Sequence, residues 1–342
     1  MNADSATGAK WMVVLPPEGA ARQVGEKAWE ALCAQLPVES RKLFDSKTYL
    51  DAFDRLLKDP ADNMVVDLAN QALIVQCLDF RATHVLVVAL SPVTRFSVDL
   101  LRRQGISMVH WFIEDFREAK YWKDVLPAYT HFLAIQRGPV QAACAEAGVA
   151  FRYFPTASIL KPHATVKGWR ERGEGVAFIG FPSKYRVDVL ETLAREGVPL
   201  KVAGLGWEKY RGLLESHLTG RGWFGPEEAF KLLENSRIGL HLPSEDPGPD
   251  RANSHVSPRV FDILAAGCLL MSEEAPLIRE TLGGPLGGYT YREFRGASEA
   301  ARLAKTLLSE NFDDRLLEAN RVAVLRDHSF TRRMSELREI TR

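Results

Sequence analysis

Residues 254–272 read SHVSPRVFDILAAGCLLMS, a helix followed by a strand. Ser257 is a good N-cap, Pro258 suits the first helical position and Gly267 stops the helix. The short apolar run after it, Cys268–Met271, reads as a buried strand. A helix start of this kind presents N–H groups and a partial positive charge, which suits a phosphate. Arg259 adds a forked donor for phosphate oxygens, and Asp262, three residues on, shares its face. A carboxylate there accepts hydrogen bonds from two vicinal hydroxyls, as on a ribose. Spacing alone equally allows an Arg259–Asp262 ion pair at the start of a core helix.

Outward from this stretch, short runs of Val, Ile and Leu alternate with longer amphipathic runs, the pattern of β-α units around parallel sheets. Upstream, strands are expected at Trp11–Leu15, Lys42–Phe44, His84–Leu90, Ser107–Ile113, Phe132–Ile135 and Phe151–Phe154, with helices between them. Between Pro155 and Glu174 the rhythm dissolves into Pro, Lys, Arg and Gly, which marks a linker. It resumes with strands at Val176–Ile179, Leu200–Ala203, Ile238–Leu242 and Cys268–Met271, and the tail Ala297–Ile340 is helical. The expected architecture is α/β, with two Rossmann-like doubly wound domains facing a cleft. The first spans 1–157, the linker 158–174, and the second 175–342. In such sheets ligands bind at the carboxyl ends of the strands. Glu245–Ser254, rich in Pro and Gly, reads as a loop over that cleft or as a plain surface loop.

The chain has 342 residues, enough for two domains, and 44 basic residues balance 44 acidic ones. That balance argues against nucleic-acid binding, which concentrates Lys and Arg. A hydrophobic content of 46% with 26% charged residues excludes disorder. No run approaches the ~20 apolar residues of a membrane helix, and the start of the chain does not resemble a secretory signal. The four cysteines are far apart, and the histidines show no metal-ligand spacing, so neither a disulfide framework nor a metal site is expected. Together these features indicate a cytoplasmic protein.

Two further segments bear on an anion site. In Val176–Val187, Gly180 follows a strand and permits close backbone approach, while Lys184 and Arg186 bring cations to the next helix start. The P-loop spacing is absent. In Leu200–Trp207, Gly204 and Gly206 follow another strand. Upstream, the strand Ser107–Ile113 ends in Glu114-Asp115, carboxylates suited to general-base work or to capping the next segment. His110 on that strand reads as a core residue. No G-x-S-x-G elbow is present.

In order, Gly180…Arg186, Gly204-Leu-Gly206-Trp207, Gly222…Glu227…Ser236–Leu240 and Arg259-Val-Phe-Asp-Ile-Leu-Ala-Ala-Gly267 resemble the nucleotide-binding half of GT-B glycosyltransferases, and the CgeB-like family in particular. The resemblance spans Ala82–Arg333. It implies that Asp262 holds the ribose of a sugar nucleotide, and that Arg259, Lys184 and Arg186 face its diphosphate with Gly180, Gly204, Gly206 and Ser257. It implies no cofactor and no metal, with the nucleotide sugar, of UDP type, as a substrate. The retaining E-x7-E pattern is broken, because Ser254 stands where its first Glu would be. An inverting reaction needs a base from the first domain, for which Asp115 is the candidate. The last helix, from Ser329, crosses back to the first domain in many GT-B proteins.

The resulting expectation is a metal-independent glycosyltransferase acting on a protein or cell-envelope acceptor. The alternative is a GT-B-like sugar-binding or assembly module without catalysis. A sugar-nucleotide epimerase ranks last, since it needs several catalytic carboxylates and a His in the cleft.

Overall fold

The computed structural model describes residues 8–57, 63–160, 166–220, 222–248, 255–283 and 288–341. The chain divides into two compact units: residues up to Thr156 with those from Phe330 onward, and Ala157–Ser329. Among the described residues no helix is long and apolar enough to cross a membrane. Ser254, and with it residues 249–253 of the Pro/Gly-rich loop, lies outside the described residues.

In the first unit six parallel strands are β1 (Trp11–Leu15), β2 (Arg41–Asp45), β3 (His84–Val88), β4 (Ser107–Phe112), β5 (His131–Ala134) and β6 (Ala150–Tyr153). Their order is β2-β1-β3-β4-β5-β6, with Val85 opposite Met108 and Val13 opposite Leu86. The central strands are apolar and buried on both faces because helices cover both. β3 stops two residues short of the expected Leu90. Leu90 takes a left-handed conformation (φ 64°), unusual for a non-glycine residue, and its N–H donates to Tyr121 Oη at 3.1 Å.

The final helix, Phe330–Ile340, belongs to this first unit rather than to the second. Phe330 meets Trp111 edge-on at 6.3 Å, and Arg333, almost buried, donates from Nε to the carbonyls of Pro155 and Thr156 at 2.8 and 3.1 Å. The helix thus ties itself to the end of the first unit's continuous segment.

In the second unit the parallel strands are β7 (Gly173–Ile179), β8 (Leu200–Ala203), β9 (Leu218–Gly220), β10 (Ser236–His241), β11 (Leu269–Glu273) and β12 (Tyr291–Phe294), in the order β12-β11-β10-β7-β8-β9. The edge strands β9 and β12 were not expected from the sequence. One is three half-exposed residues and the other, YREF, carries charges in its middle, so neither shows a buried-strand signature. The chain reverses direction of travel across the sheet between β7 and β10, the switch point where such folds bind ligands.

The expected linker at 158–174 is instead part of this unit. Trp169 is fully buried; its indole N–H donates to Glu310 O at 3.1 Å and its backbone N–H to Asp314 Oδ1 at 2.6 Å. Arg172 is buried as well and donates to Ala266 O at 3.0 Å. It sets a cation against the carboxyl end of the helix Pro258–Ala265, the favourable end for positive charge. Residues 161–165 of that segment lie outside the described residues.

Candidate functional site

The helix Pro258–Ala265 lies directly on β10. A Cβ on Gly239 would sit 2.4 Å from Ile263 Cγ2, so only glycine lets the two elements approach this closely. The contact aims the helix start, capped by Ser257 with Pro258 at its first position, toward the carboxyl end of β10. Ser257 makes no side-chain cap bond to the helix.

The loops after β7 and β8 are joined beside it. A Cβ on Gly204 (φ 139°) would lie 2.3 Å from the carbonyl oxygen of Gly180. That same oxygen accepts from the Trp207 indole N–H at 2.8 Å. Gly206 is also left-handed (φ 95°), and its N–H donates to Glu208 Oε2 at 2.9 Å. The glycines therefore shape a rigid loop pair, the close approach their sequence positions suggested.

Arg186 sits one turn into the helix Lys184–Arg195, whose N-cap is Ser183. Its guanidinium donates to Leu242 O at 3.0 Å, Pro243 O at 3.1 Å and Phe181 O at 3.2 Å, and it lies 4.4 Å over the Phe181 ring. Arg186 thus straps the loop after β10 to the loop after β7. These donors are turned to the protein's own carbonyls, so that Arg186 holds the loops as well as carrying charge. Lys184 does not join the cluster: its ammonium is exposed and paired with Asp188 at 2.6 Å.

Asp262 makes the ion pair with Arg259 that the spacing allowed. It is fully buried. Oδ1 accepts from Ser158 Oγ at 2.8 Å and from the Ile159 N–H at 3.0 Å, while Oδ2 accepts from Arg259 Nη1 at 2.9 Å. Burial lifts its carboxyl above the usual range, against the pull of Arg259 and the Ser158 and Ile159 donors. Both carboxylate oxygens are engaged by the protein's own donors. Arg259 itself is only partly covered, and one Nη is enough for Asp262, so its fork keeps donors for a ligand.

The sequence reading set aside His241 and His255 for want of metal spacing, yet they belong to this cluster. His241 ends β10 and is buried. Burial pushes its imidazole down to about 3, and His255, Arg186 and Arg259 add repulsion of the same sign. These side chains therefore share one electropositive neighbourhood, and His241 is neutral at physiological pH. Ser272 Oγ donates to Glu273 O at 2.9 Å, so the 3.0 Å contact between Ser272 Oγ and His241 Nδ1 has the imidazole as donor. A polar residue at the carboxyl end of a sheet strand was the available signal. The same signal marks Glu273, which accepts from Tyr185 Oη at 2.5 Å, and Glu274, paired with Arg279 and Arg295.

Asp115, the base candidate of the first unit, is almost buried. Arg117 holds it from Nη2 at 2.6 Å, from Nε at 3.0 Å and from its backbone N–H at 2.9 Å. These bonds hold the carboxylate to its own loop, the capping role that its place before the next segment also allowed. His110 is a core residue, ringed by Tyr129, Phe132 and Tyr121.

A cavity of about 270 Å³ in the second unit, lined by Lys167, Gly168, Gly267, Asp314 and Leu317 among others, lies toward the amino ends of β7 and β11. It is remote from the cationic cluster. Among the described residues no three His, Cys, Asp or Glu side chains are grouped to hold a metal ion.

Residues 186–339 match a family model described as glycosyl transferase-like. No curated protein sequence matches the chain significantly. Solved structures similar to it include a glycosyltransferase from Rickettsia africae, at 12% identity over 98% of both chains with a TM-score of 0.63. Sucrose-phosphate synthase from Thermosynechococcus elongatus is 12% identical over 97% of this chain and 98% of its own, with a TM-score of 0.64. Anabaena HepE, solved with UDP and glucose, is 10% identical over 97% of this chain and 99% of its own, with a TM-score of 0.62. The architecture is that of the GT-B glycosyltransferases.

Proposed function

We propose that this protein is a metal-independent glycosyltransferase of the CgeB-like kind, acting in the cytoplasm on a UDP-type nucleotide sugar and a protein or cell-envelope acceptor. The observation that carries the reading is the pair of guanidinium groups, Arg186 bound to the loop after β10 and Arg259 on the first turn of the helix Pro258–Ala265, at the switch point of the second sheet. The match of residues 186–339 to a glycosyl transferase-like model and the UDP held by HepE support the choice of ligand.

In the transfer, the bond from the anomeric carbon to the diphosphate oxygen breaks as an acceptor hydroxyl oxygen bonds to that carbon, and the hydroxyl proton passes to the departing diphosphate oxygen or to water. Negative charge collects on the departing nucleoside diphosphate. Fixed guanidinium groups and a helix N-terminus stabilise that charge without reorganising, the work that a metal ion does elsewhere. Arg259 is the cation with donors to give, and Arg186 supplies charge at a distance while it holds the loops.

Isothermal calorimetry against UDP, GDP, CDP, ADP and their glucose conjugates tests the reading. Wild-type protein is expected to bind at least one nucleoside diphosphate, and Arg259→Ala to raise its Kd by roughly 10–100-fold, the loss of one charge-assisted contact. Absence of binding to the whole panel refutes it. The close pairing of Asp115 with Arg117 favours a second reading, a donor-binding module without catalysis. That reading expects binding but no sugar release or transfer from any donor.

A further inference from the structure

Asp262 connects two things that the fold otherwise keeps apart: the cation at the mouth of the cluster and the path of the chain into the second unit. Its Oδ2 receives Arg259 Nη1 at 2.9 Å. Its Oδ1 receives Ser158 Oγ and the Ile159 N–H, at 2.8 and 3.0 Å, the first residues after the unit begins at Ala157. The neighbouring side chain Phe261 stacks on His328 at 4.8 Å, just before the unit ends at Ser329. One turn of the helix Pro258–Ala265 thus holds both ends of the unit, and the same turn fixes Arg259.

We infer that Asp262 is a positioning residue that aims Arg259 at the donor's phosphates and anchors Ser158–Ile159, and that it does not bind the donor's ribose hydroxyls. A buried carboxylate with a charged partner on one oxygen and two donors on the other is already satisfied. Turning either oxygen to a ribose would strand Arg259 or the Ile159 N–H. The flexible fork of Arg259 would swing between solvent and ligand without Asp262; held by one Nη, it presents the remaining N–H groups in one direction. The inference rests on the nucleoside-diphosphate reading for its ligand but not for its contacts.

The test combines a truncated ligand with a variant pair and a ligand-free readout. Kd is measured by calorimetry for UDP and for 2′,3′-dideoxy-UDP on wild type, Asp262→Asn, Arg259→Ala and the double variant. Asn keeps the shape and an Oδ1 acceptor but turns an amide toward Arg259. Asp262→Asn is expected to weaken both ligands by the same factor, about tenfold, and to add less than about twofold once Arg259 is Ala. Amide exchange at Ile159 is read in Asp262→Ala, which removes the Oδ1 acceptor that Asn keeps; it is expected to accelerate there and to stay near wild type in Arg259→Ala.

A loss confined to UDP, with dideoxy-UDP unaffected, would mean that Asp262 does hold the ribose and overturns the inference; so does unchanged exchange at Ile159 in Asp262→Ala. If wild type binds no nucleotide while Ile159 loses protection in Asp262→Ala, the donor reading fails and the anchoring stands. Should Asp262→Asn not fold, Ser158→Ala removes one of the two Oδ1 donors and carries the same comparison, with both ligands again expected to weaken equally.

Discussion

The contact between β10 and the site helix is tight enough to be tested by a single methyl group. In Gly239→Ala the new Cβ would lie 2.4 Å from Ile263 Cγ2, 2.6 Å from Cγ1 and 3.0 Å from Cβ. All three atoms belong to a fully buried side chain on the helix, so the clash is relieved only by lifting the helix or by forcing Ile263 off its rotamer. Overpacking of this kind costs ~1–3 kcal/mol, and three short contacts put this site near ~3 kcal/mol. For a unit of this size each kcal/mol shifts Tm by ~2–4 °C. The melting transition of the second unit is therefore expected to fall by roughly 6–12 °C, and nucleotide affinity to fall with it as Ser257 and Arg259 move.

Ile263→Ala alone empties core volume and costs ~2–5 kcal/mol. Combined with Gly239→Ala, it makes room for the added methyl, so the double variant is expected to be ~2 kcal/mol more stable than the sum of the single losses. Gly222→Ala, where the methyl meets nothing within 4 Å, is the control and is expected to melt like wild type. Differential scanning calorimetry measures all four variants. Gly239→Ala melting like wild type, or strict additivity with Ile263→Ala, would refute the claim that this contact sets the helix.

Acid should destabilise both units for one reason. His110 and His241 are fully buried and each is pushed from 6.5 to about 3, mainly by burial. Unfolding lets them take up protons below 6.5, so their contribution is complete above that pH and is lost on descent toward 3, at ~1.4 kcal/mol per pH unit for each group. Urea unfolding at pH 7, 6 and 5 should show this fall, flattened for the first unit in His110→Phe; stability that stays level from pH 7 to 5 contradicts the burial. Arg333→Ala removes a near-buried guanidinium from the carbonyls of Pro155 and Thr156. It should cost the first unit ~2–4 kcal/mol in the same assay, and a loss under 0.5 kcal/mol would show that the final helix is held by its apolar face alone.

The sheet strands most plainly legible in the sequence are those buried on both faces, although the edge strands β2 and β6, each with a short apolar or aromatic run, were expected too. Val85–Val88 and Trp11–Leu15 have no exposed side to carry polar residues, and such runs have few alternatives. β9 and β12 escape because an edge strand is half solvated and short. The linker expectation fails for a related reason. Pro, Lys and Gly between 155 and 174 look like solvent-facing chain, but Trp169 and Arg172 are anchored by partners at Glu310, Asp314 and Ala266, nearly 100 residues or more away. Composition registers what a segment contains and not what distant residues offer it.

The site was legible as a place and illegible as an assignment of roles. Glycines after β7 and β8 and a capped helix start point to the switch point, and the structure joins them there. Which cations remain for a ligand depends on unmet acceptors. A guanidinium matches a phosphate and a cluster of loop carbonyls equally well. β10 ends at His241 and runs into Pro243, a residue with no N–H to continue a ladder, and the carbonyls of Leu242 and Pro243 are taken by Arg186. Asp262 has the matching history in reverse: its spacing suits a diol, but the Ser158 hydroxyl and Ile159 N–H reach it from 104 and 103 residues away. Yet binding to carbonyls does not neutralise a guanidinium. Arg186 keeps its charge in a region with little water, where the field of a cation carries further than at the surface. The guanidinium groups beside His241 can therefore favour an anion, with Arg259 keeping donors to touch one.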